Sequence, residues 1–284
     1  MKNTAILLIS CPDRKGIVAA IADFVFQHGG NILHADEHAD EGSNLFLMRV
    51  EFDPAEFDID LAEFARHFSP IAEKFEMQWR LARSNYRPKM AILVSKYDHC
   101  LVDLLYRHQS GELTCDIPLI ISNHPDNKPM ADFYRIPFFV VSVPKDNKRE
   151  AEQKILDLLK QHHPDFIVLA RYMQILSNEF VNQYPHRIIN IHHSFLPAFV
   201  GAKPYHQAFA RGVKVIGATS HYVTEVLDDG PIIEQDVVRI SHRDSVDDLL
   251  QKGRDLEKVV LSRAVRWHIE NRILLYGNKT VVFD

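Results

Sequence analysis

Cysteine is scarce in this chain of 284 residues, which has only Cys11, Cys100 and Cys115, far apart in the sequence. Neither a disulfide framework nor a thiolate metal site is expected from so few thiols at such spacing. The chain also lacks an apolar run near the ~20 residues that a membrane helix needs, and it lacks a signal-peptide pattern. We therefore expect a cytoplasmic protein without a membrane partner.

An excess of positive charge is missing as well. Lysine and arginine together number 33 and aspartate and glutamate 38, so the formal net charge is -5. Such a chain has no general electrostatic attraction to nucleic acid. The hydrophobic share of 46% and the charged share of 25% are typical of a globular protein, and the length allows one large domain or two smaller ones.

The N-terminal part of the chain alternates between strand-like and helix-like patterns. The strands are predicted at 4–9, 31–38, 45–52 and 75–81, and apolar residues recur at helical spacing over 17–25 and 61–68. The order βαββαβ is that of a ferredoxin-like unit.

Beyond this unit, apolar runs continue with helical patterns between them. We assign 1–83 to a first domain, 84–88 to a polar linker and 89–284 to a second domain. The alternation predicts an α/β fold with a mostly parallel sheet, and 246–276 is predicted to be one long helix. The apolar runs lie at 89–94, 117–122, 137–143, 166–170 and 187–191.

Asn190 and His192 stand two residues apart at the end of the last of these runs, before a loop that contains proline. Side chains of a strand repeat every second residue, so both are expected to point to one side. Open α/β sheets bind their ligands at strand ends of this kind. Asp228 follows in a segment that by itself is typical of a hairpin turn.

The segments 189–197 and 221–233 together resemble the formyltetrahydrofolate-dependent formyltransferase family. The resemblance covers roughly 88–284 and implies a Rossmann-like catalytic domain. The turn at 13–18 and Asn31 after two glycines resemble an ACT domain, a module that often binds small amino acids. The whole arrangement looks like the branch of the family that hydrolyses the formyl group instead of transferring it.

The resemblance implies a catalytic set of Asn190, His192 and Asp228, with His221 as a partner that orients Asp228 or a water molecule. Asn190 and His192 would donate to the oxyanion, and Asp228 would activate water. The implied reaction is hydrolysis of 10-formyltetrahydrofolate to formate and tetrahydrofolate, in one-carbon metabolism and purine biosynthesis. Neither a cofactor nor a metal is expected.

The segment 169–177 resembles the family segment that wraps the pterin ring, with apolar walls and backbone groups for the ring edge. The family often has a glycine where Arg171 stands, and the arginine is typical of the deformylase branch. The implied substrate-binding residues are Arg171, Met173, Gln174, Leu176, Ser194 and Gly201.

An amino-acid effector is expected at Asp13, Gly16 and Asn31 of the ACT-like domain, because turns and helix N-termini bind carboxylates readily. A dimerisation module without any ligand is the alternative. A homo-oligomer is expected in either case, since ACT units commonly pair between subunits.

Three other interpretations stay open. A glycinamide ribonucleotide transformylase would need a glycine-rich phosphate loop, whereas 95–101 has no glycine and Asp98 would repel a phosphate. A non-catalytic amino-acid or folate sensor would not need the intact catalytic set. A zinc site of His192, His193 and Asp228 is disfavoured, because adjacent strand residues face opposite sides.

Overall fold

The computed structural model describes residues 3–198 and 204–284. The chain forms two compact units, of which the first contains the residues up to Tyr86 together with Glu270–Asp284, and the second contains Arg87–Ile269. None of the helices in these described ranges is long and apolar enough to cross a membrane.

The first unit is a four-stranded antiparallel sheet in the order β2-β3-β1-β4 with two helices. The predicted βαββαβ order is confirmed. Helix α1 buries Ile17, Ile21, Phe24 and Val25, which recur at helical spacing and face the sheet. The elements are β1 (Ala5–Pro12), α1 (Ile17–Gln27), β2 (Asn31–Asp40), β3 (Leu45–Asp53), α2 (Phe64–Lys74) and β4 (Gln78–Arg83).

The second unit is built on a seven-stranded sheet in the order β11-β10-β9-β8-β5-β6-β7. Strands β5 to β9 run parallel, and β10 and β11 continue the sheet antiparallel, so the predicted mostly parallel sheet is confirmed. Strands β5 and β8 are buried along their whole length, as strands covered on both faces are. The strands are β5 (Met90–Val94), β6 (Ile120–Ser122), β7 (Phe138–Val140), β8 (Phe166–Ala170), β9 (Ile188–His192), β10 (Val215–Tyr222) and β11 (Ile232–Arg239).

Helices of the second unit connect these strands. The chain winds from β5 through β6 to β7 on one side and then returns to β8 on the other side of β5. This reversal of strand order opens a crevice at the carboxyl ends of β5 and β8. The helices are α3 (His99–Gln109), α4 (Lys128–Phe133), α5 (Lys148–His162), α6 (Asn178–Val181), α7 (Pro204–Arg211) and α8 (Val246–Ile269).

The prediction of one helix over 246–276 is wrong at its C-terminal end. Helix α8 ends at Ile269, and Asn271 adopts a positive φ of 53° that cannot continue a helix. Strands β12 (Ile273–Tyr276) and β13 (Lys279–Val282) follow as an antiparallel hairpin around Gly277. This hairpin belongs to the first unit, whereas the sequence pattern places it in the second domain.

Candidate active site

A cavity of about 650 Å³ opens at the carboxyl ends of the parallel strands in the second unit. It is lined by residues that follow β5 and β8, by the end of β9, by the loop between β10 and β11, and by α8. The position agrees with the switch point of the sheet, where ligands bind in folds of this kind. The four predicted catalytic residues all line this cavity: Asn190, His192, His221 and Asp228.

Strand pairing brings Asn190 and His221 together. Strands β9 and β10 run antiparallel with Asn190 directly opposite His221, and Asn190 Nδ2 lies 3.1 Å from His221 Nε2. His221 Nδ1 lies 2.9 Å from the carbonyl oxygen of Tyr222, which can only accept, so Nδ1 carries the hydrogen. His221 Nε2 therefore accepts one N–H of Asn190 when the ring is neutral. The second N–H of the Asn190 amide remains for a ligand.

Asp228 lies between two imidazole rings. Its Oδ2 is 3.3 Å from His192 Nδ1, and its Oδ1 is 3.7 Å from His221 Nε2. The hydrogen bond from His192, and then that from His221, hold the pKa of the Asp228 carboxyl well below its usual range, although partial burial acts in the opposite direction. His221 donates to Asp228 only in its protonated form, in which Nε2 no longer accepts from Asn190. The carboxylate is thus ionised and able to accept a proton from water.

The loop that carries Asp228 is held in place by backbone geometry. Asp228 adopts a φ of 56°, in the left-handed region. Two residues later, a Cβ at Gly230 would overlap the carbonyl oxygen of Tyr222, so only glycine allows the loop to approach β10 this closely. The N–H of Tyr222 donates to the carbonyl of Pro231 at 2.9 Å. The Asp-Gly-Pro segment therefore fixes Asp228 against the strand that carries His221.

His192 presents an unused ring nitrogen. The side chain is 6% exposed and its Nδ1 is directed to Asp228, whereas its buried Nε2 has no hydrogen-bond partner among the described residues. A buried polar atom without a partner is rare and costs free energy unless a ligand satisfies it. Because Nδ1 is directed to the Asp228 carboxylate, Nε2 carries a hydrogen as well only in the imidazolium form, in which it can donate to an oxygen of the substrate.

One wall of the cavity is apolar and partly exposed at the rim. Met173 and Ile175 are 51% and 60% exposed, and Val226 and Leu227 on the opposite loop are 61% and 56% exposed. The predicted residues Met173, Gln174 and Leu176 all line this wall. Ser95 holds the wall in position, because its Oγ accepts the N–H of Met173 at 2.9 Å and donates to Asn123. A flat aromatic ligand fits between such surfaces.

One predicted substrate-binding residue, Ser194, is placed differently, and another, Gly201, is not described. Ser194 is buried at 3% exposure, and its Oγ donates to the carbonyl of Ala198, so it stabilises its own loop and is not among the described residues that line the cavity. Gly201 lies outside the residues that the structure describes.

His193 also lines the cavity, against the prediction that it faces away from His192. Strand β9 ends at His192, so the alternation of a strand no longer applies one residue later, and the two rings lie 5.2 Å apart. Burial, and next the charge of Arg171, lower the pKa of His193 to about 4. His193 is a neutral imidazole at physiological pH.

A buried ionic network, which no sequence motif predicted, lies at the other side of the cavity. Glu257 on α8 is 1% exposed, and its carboxylate contacts His99 Nε2 at 2.7 Å, Tyr205 Oη at 2.8 Å and Arg171 Nε at 3.4 Å. Burial alone would raise the pKa of Glu257, but the hydrogen bond from His99 and the charge of Arg171 outweigh it and lower the pKa. A glutamate at helical spacing between Gly253 and Val260, inside the apolar stripe of α8, is the signal that could have revealed it.

His99, Cys100 and Glu257 bring three potential metal ligands within 4.8 Å of one another. The nitrogen of His99 and the carboxylate of Glu257 are already paired, and the guanidinium of Arg171 lies against the same carboxylate oxygen. Burial raises the pKa of the Cys100 thiol well above its usual value. In this structure the side chains of His99, Glu257 and Arg171 form an ion-pair network.

The predicted effector residues lie in the first unit. Asp13 and Gly16 belong to the exposed loop between β1 and α1, where Gly16 takes a φ of 92° and caps α1. Asn31 begins β2, and it is exposed. The N-terminus of α1 has no side-chain cap.

Family models match both units. The model described as formyl transferase matches residues 88–265, and the model described as ACT domain matches residues 5–67. A formyltetrahydrofolate deformylase of Synechocystis sp. is 58% identical over 100% of both chains. That of Bacillus subtilis is 49% identical over 98% of this chain and 93% of its own.

Solved structures separate two branches of the fold. The formyltetrahydrofolate deformylase of Pseudomonas syringae pv. tomato has a TM-score of 0.98 and 51% identity, and the match covers 100% of this chain and 95% of that one. The glycinamide ribonucleotide transformylase 1 of Symbiobacterium toebii has a TM-score of 0.67 and 28% identity over 72% of this chain and 98% of its own. The predicted ACT and formyltransferase-type fold is confirmed, and the chain belongs to the formyltetrahydrofolate deformylase family.

Proposed function

We propose that this protein hydrolyses 10-formyltetrahydrofolate to formate and tetrahydrofolate through Asn190, His192 and Asp228. The observation that carries the proposal is the convergence of these three side chains on one cavity, in a chain of the deformylase family. The folate ring system lies against the apolar wall, and the formyl group points towards the three polar side chains. The substrate is itself the folate, so the reaction needs no further cofactor.

The oxyanion is stabilised by two donors. When water adds to the formyl carbon, negative charge develops on the formyl oxygen, and preorganised donors there supply about 3–4 kcal/mol each. Asn190 contributes the N–H that His221 leaves unused. His192 contributes its unpartnered Nε2, which donates in the imidazolium form, where both ring nitrogens carry a hydrogen.

Asp228 transfers a proton from water to the leaving nitrogen. Its carboxylate takes a proton from the attacking water, so that a hydroxyl group is attached to the formyl carbon. The tetrahedral intermediate then collapses, the bond from carbon to N10 breaks, and N10 receives that proton as tetrahydrofolate leaves. Formic acid, which ionises to formate and a proton, and tetrahydrofolate account for all the atoms of substrate and water.

Water is favoured over a phosphorylated amine by the loop after β5. Ser95 directs its hydroxyl to Asn123 and receives Met173 N–H, and its carbonyl oxygen accepts from Asn127 Nδ2 at 2.7 Å. Its polar groups are thus used to hold the apolar wall. Asp98 precedes α3 and places a negative charge where a phosphate would need a donor.

The test is formate release from 10-formyltetrahydrofolate in the absence of any amine acceptor. We expect formate and tetrahydrofolate in equal amounts. Formylation of glycinamide ribonucleotide without formate release would instead assign the chain to the transferases. Binding of 10-formyltetrahydrofolate with neither product would support a sensor.

We further propose that an amino acid binds the ACT unit at the loop of Asp13 and Gly16, with Asn31 as a third contact, and that the ACT unit forms a homo-oligomer. The uncapped N-terminus of α1 supports a carboxylate site, and β2 is an edge strand available for pairing. Formate release with and without individual amino acids tests the first point, and sedimentation tests the second.

Three buried free cysteines favour a reducing compartment, the cytoplasm.

A further inference from the structure

The cavity has a catalytic side and a polar side that the proposed mechanism does not use. The polar side is a connected group, because the guanidinium groups of Arg171 and Arg254 each lie 5.6 Å from the ring of Tyr97, and Arg171 continues to Glu257. His193 joins the two sides, since its ring lies 5.2 Å from that of His192 and 6.1 Å from that of Tyr205. We name four residues of this side the polar cluster: His99, Arg171, Tyr205 and Glu257.

Several features of the polar cluster lower the stability of the fold. Arg171 is 8% exposed and adopts a φ of 61°, a left-handed conformation that is strained for a residue with a Cβ. Its buried Nε has no hydrogen-bond partner among the described residues. Gly253 in the interior of α8 destabilises the helix relative to alanine. A buried ion pair stabilises a protein no more than apolar residues of the same volume do.

Gly253 has a specific role in this arrangement. A Cβ at this position would overlap the hydroxyl group and ring of Tyr205, so glycine makes the room in which Tyr205 reaches Glu257. Strain at Arg171, a helix glycine and a buried carboxylate thus all serve one packed cluster. Such costs persist where the arrangement serves function.

The position of the polar cluster indicates that function. A formyl group held by Asn190 and His192, with the folate on the apolar wall, can be attacked from the remaining side of the cavity. A transferase must admit an amine from that side. In this chain the side chains of the polar cluster line the cavity, and three of them, Arg171, Tyr205 and Glu257, are buried.

We propose that the polar cluster is a selectivity element that excludes amine acceptors and leaves space for water alone; the inference rests on the proposed hydrolysis. Arg171 and Tyr205 are positioning residues that close the acceptor side. If they are shortened, a small primary amine can enter and attack the formyl carbon in place of water. The amine then loses a proton, the bond from carbon to N10 breaks, and N10 gains the proton.

The test compares two products, formate and N-formylglycinamide, for enzyme with 10-formyltetrahydrofolate and millimolar glycinamide. The wild type is expected to release formate only. Arg171→Gly opens the acceptor side and relieves the left-handed strain, so we expect a folded variant in which the ratio of formylated amine to formate rises at least tenfold. Arg171→Lys should restore the low ratio. Tyr205→Leu, which opens the cluster from α7, should raise the ratio as well.

Arg135→Gly is the matched control. Arg135 also has a left-handed φ, of 57°, but it is exposed and lies outside the cavity lining. This variant relieves the same strain and should keep the wild-type product ratio. Unchanged ratios in folded Arg171→Gly and Tyr205→Leu would overturn the inference while leaving the hydrolysis intact. Absence of formate from the wild type would instead remove the proposed function.

Discussion

The proposed chemistry depends most on Asp228, because this residue takes the proton from water. The side chains that contact the Asp228 carboxyl keep it ionised. His192 and His221 reach it from two adjacent strands, and together they keep its pKa low. The sequence was sufficient to predict that these three residues lie together, since their motifs are local. It was insufficient for the polar cluster, because Glu257 meets its partners from three separate segments and no short motif records that meeting.

Asp228→Asn should retain folate binding and lose turnover by about 10²–10⁴-fold, the usual contribution of a general base. The pKa of Asp228 is lowered, so its carboxylate stays ionised as the pH falls through the ordinary range of a carboxyl group. The factor between wild type and variant should therefore be constant from about pH 5 to about pH 8. Initial rates of formate release across that range measure it.

Asp229→Asn provides the control for this change. Asp229 is the next residue and is not among the described residues that line the cavity, so its variant should turn over normally. Near-normal turnover in Asp228→Asn would mean that another group activates water.

His193 makes the stability of the protein depend on pH. Its pKa is lowered from 6.5 to about 4 in the folded protein, so the unfolded chain binds more protons between these two values. Stability is then highest above the unfolded pKa and falls as the pH drops from about 6.5 to about 4, by about 3 kcal/mol at most. His193→Asn should remove this part of the slope, as urea unfolding at a series of pH values would show.

His242 is exposed in the same unit, and His242→Asn should keep the wild-type slope. Equal slopes for wild type and His193→Asn would show that the buried imidazole titrates normally.

At the scale of elements, the strands with an apolar run were predictable and β10 was not. Strand β10 carries Thr219, Ser220 and His221, all at most 2% exposed, and it has neither an apolar run nor clean alternation. Its polar side chains are satisfied by neighbouring segments, as when Thr219 Oγ1 donates to the carbonyl of Ser194. Such partners are known only once the sheet has formed.

Gly230→Ala tests whether the loop between β10 and β11 positions the catalytic carboxylate. The added Cβ would overlap the carbonyl of Tyr222, so the loop must move away from β10. A displacement of about 1 Å in a catalytic group costs about 100-fold in rate, and we expect a loss of that order in turnover. Gly212→Ala is the control: Gly212 has a φ of 68° and open space around it, so that variant should lose about 1 kcal/mol of stability but no turnover. Equal turnover in both variants would contradict the positioning role of Gly230.

At the scale of the whole molecule, the two units are not two consecutive stretches of the chain. Residues Glu270–Asp284, which follow the second unit in the sequence, belong to the first unit. The sequence predicted both folds, because apolar residues recur at helix and strand spacing in each unit. It misplaced the end of the chain, because a hairpin that follows a long helix carries no local sign of the unit it joins. Strand pairing within the hairpin is local, whereas its burial against β1 and β3 links residues at opposite ends of the sequence.

Phe283→Ala tests the contribution of the hairpin to the first unit. Phe283 is 4% exposed and packs with Ile6, Leu8 and Leu47. Loss of a buried phenylalanine costs about 3–5 kcal/mol, and we expect that decrease in the unfolding free energy of this unit. Urea unfolding monitored by the fluorescence of Trp79 measures this free energy. A Trp267→Phe background is used, because these are the two tryptophans of the chain.

Lys279→Ala on the same hairpin is the control. It removes an exposed ion pair with Asp40 and should lower the unfolding free energy by about 0.5 kcal/mol or less. If the two substitutions cost the same, the hairpin does not contribute to the core, because burial is what distinguishes Phe283 from Lys279.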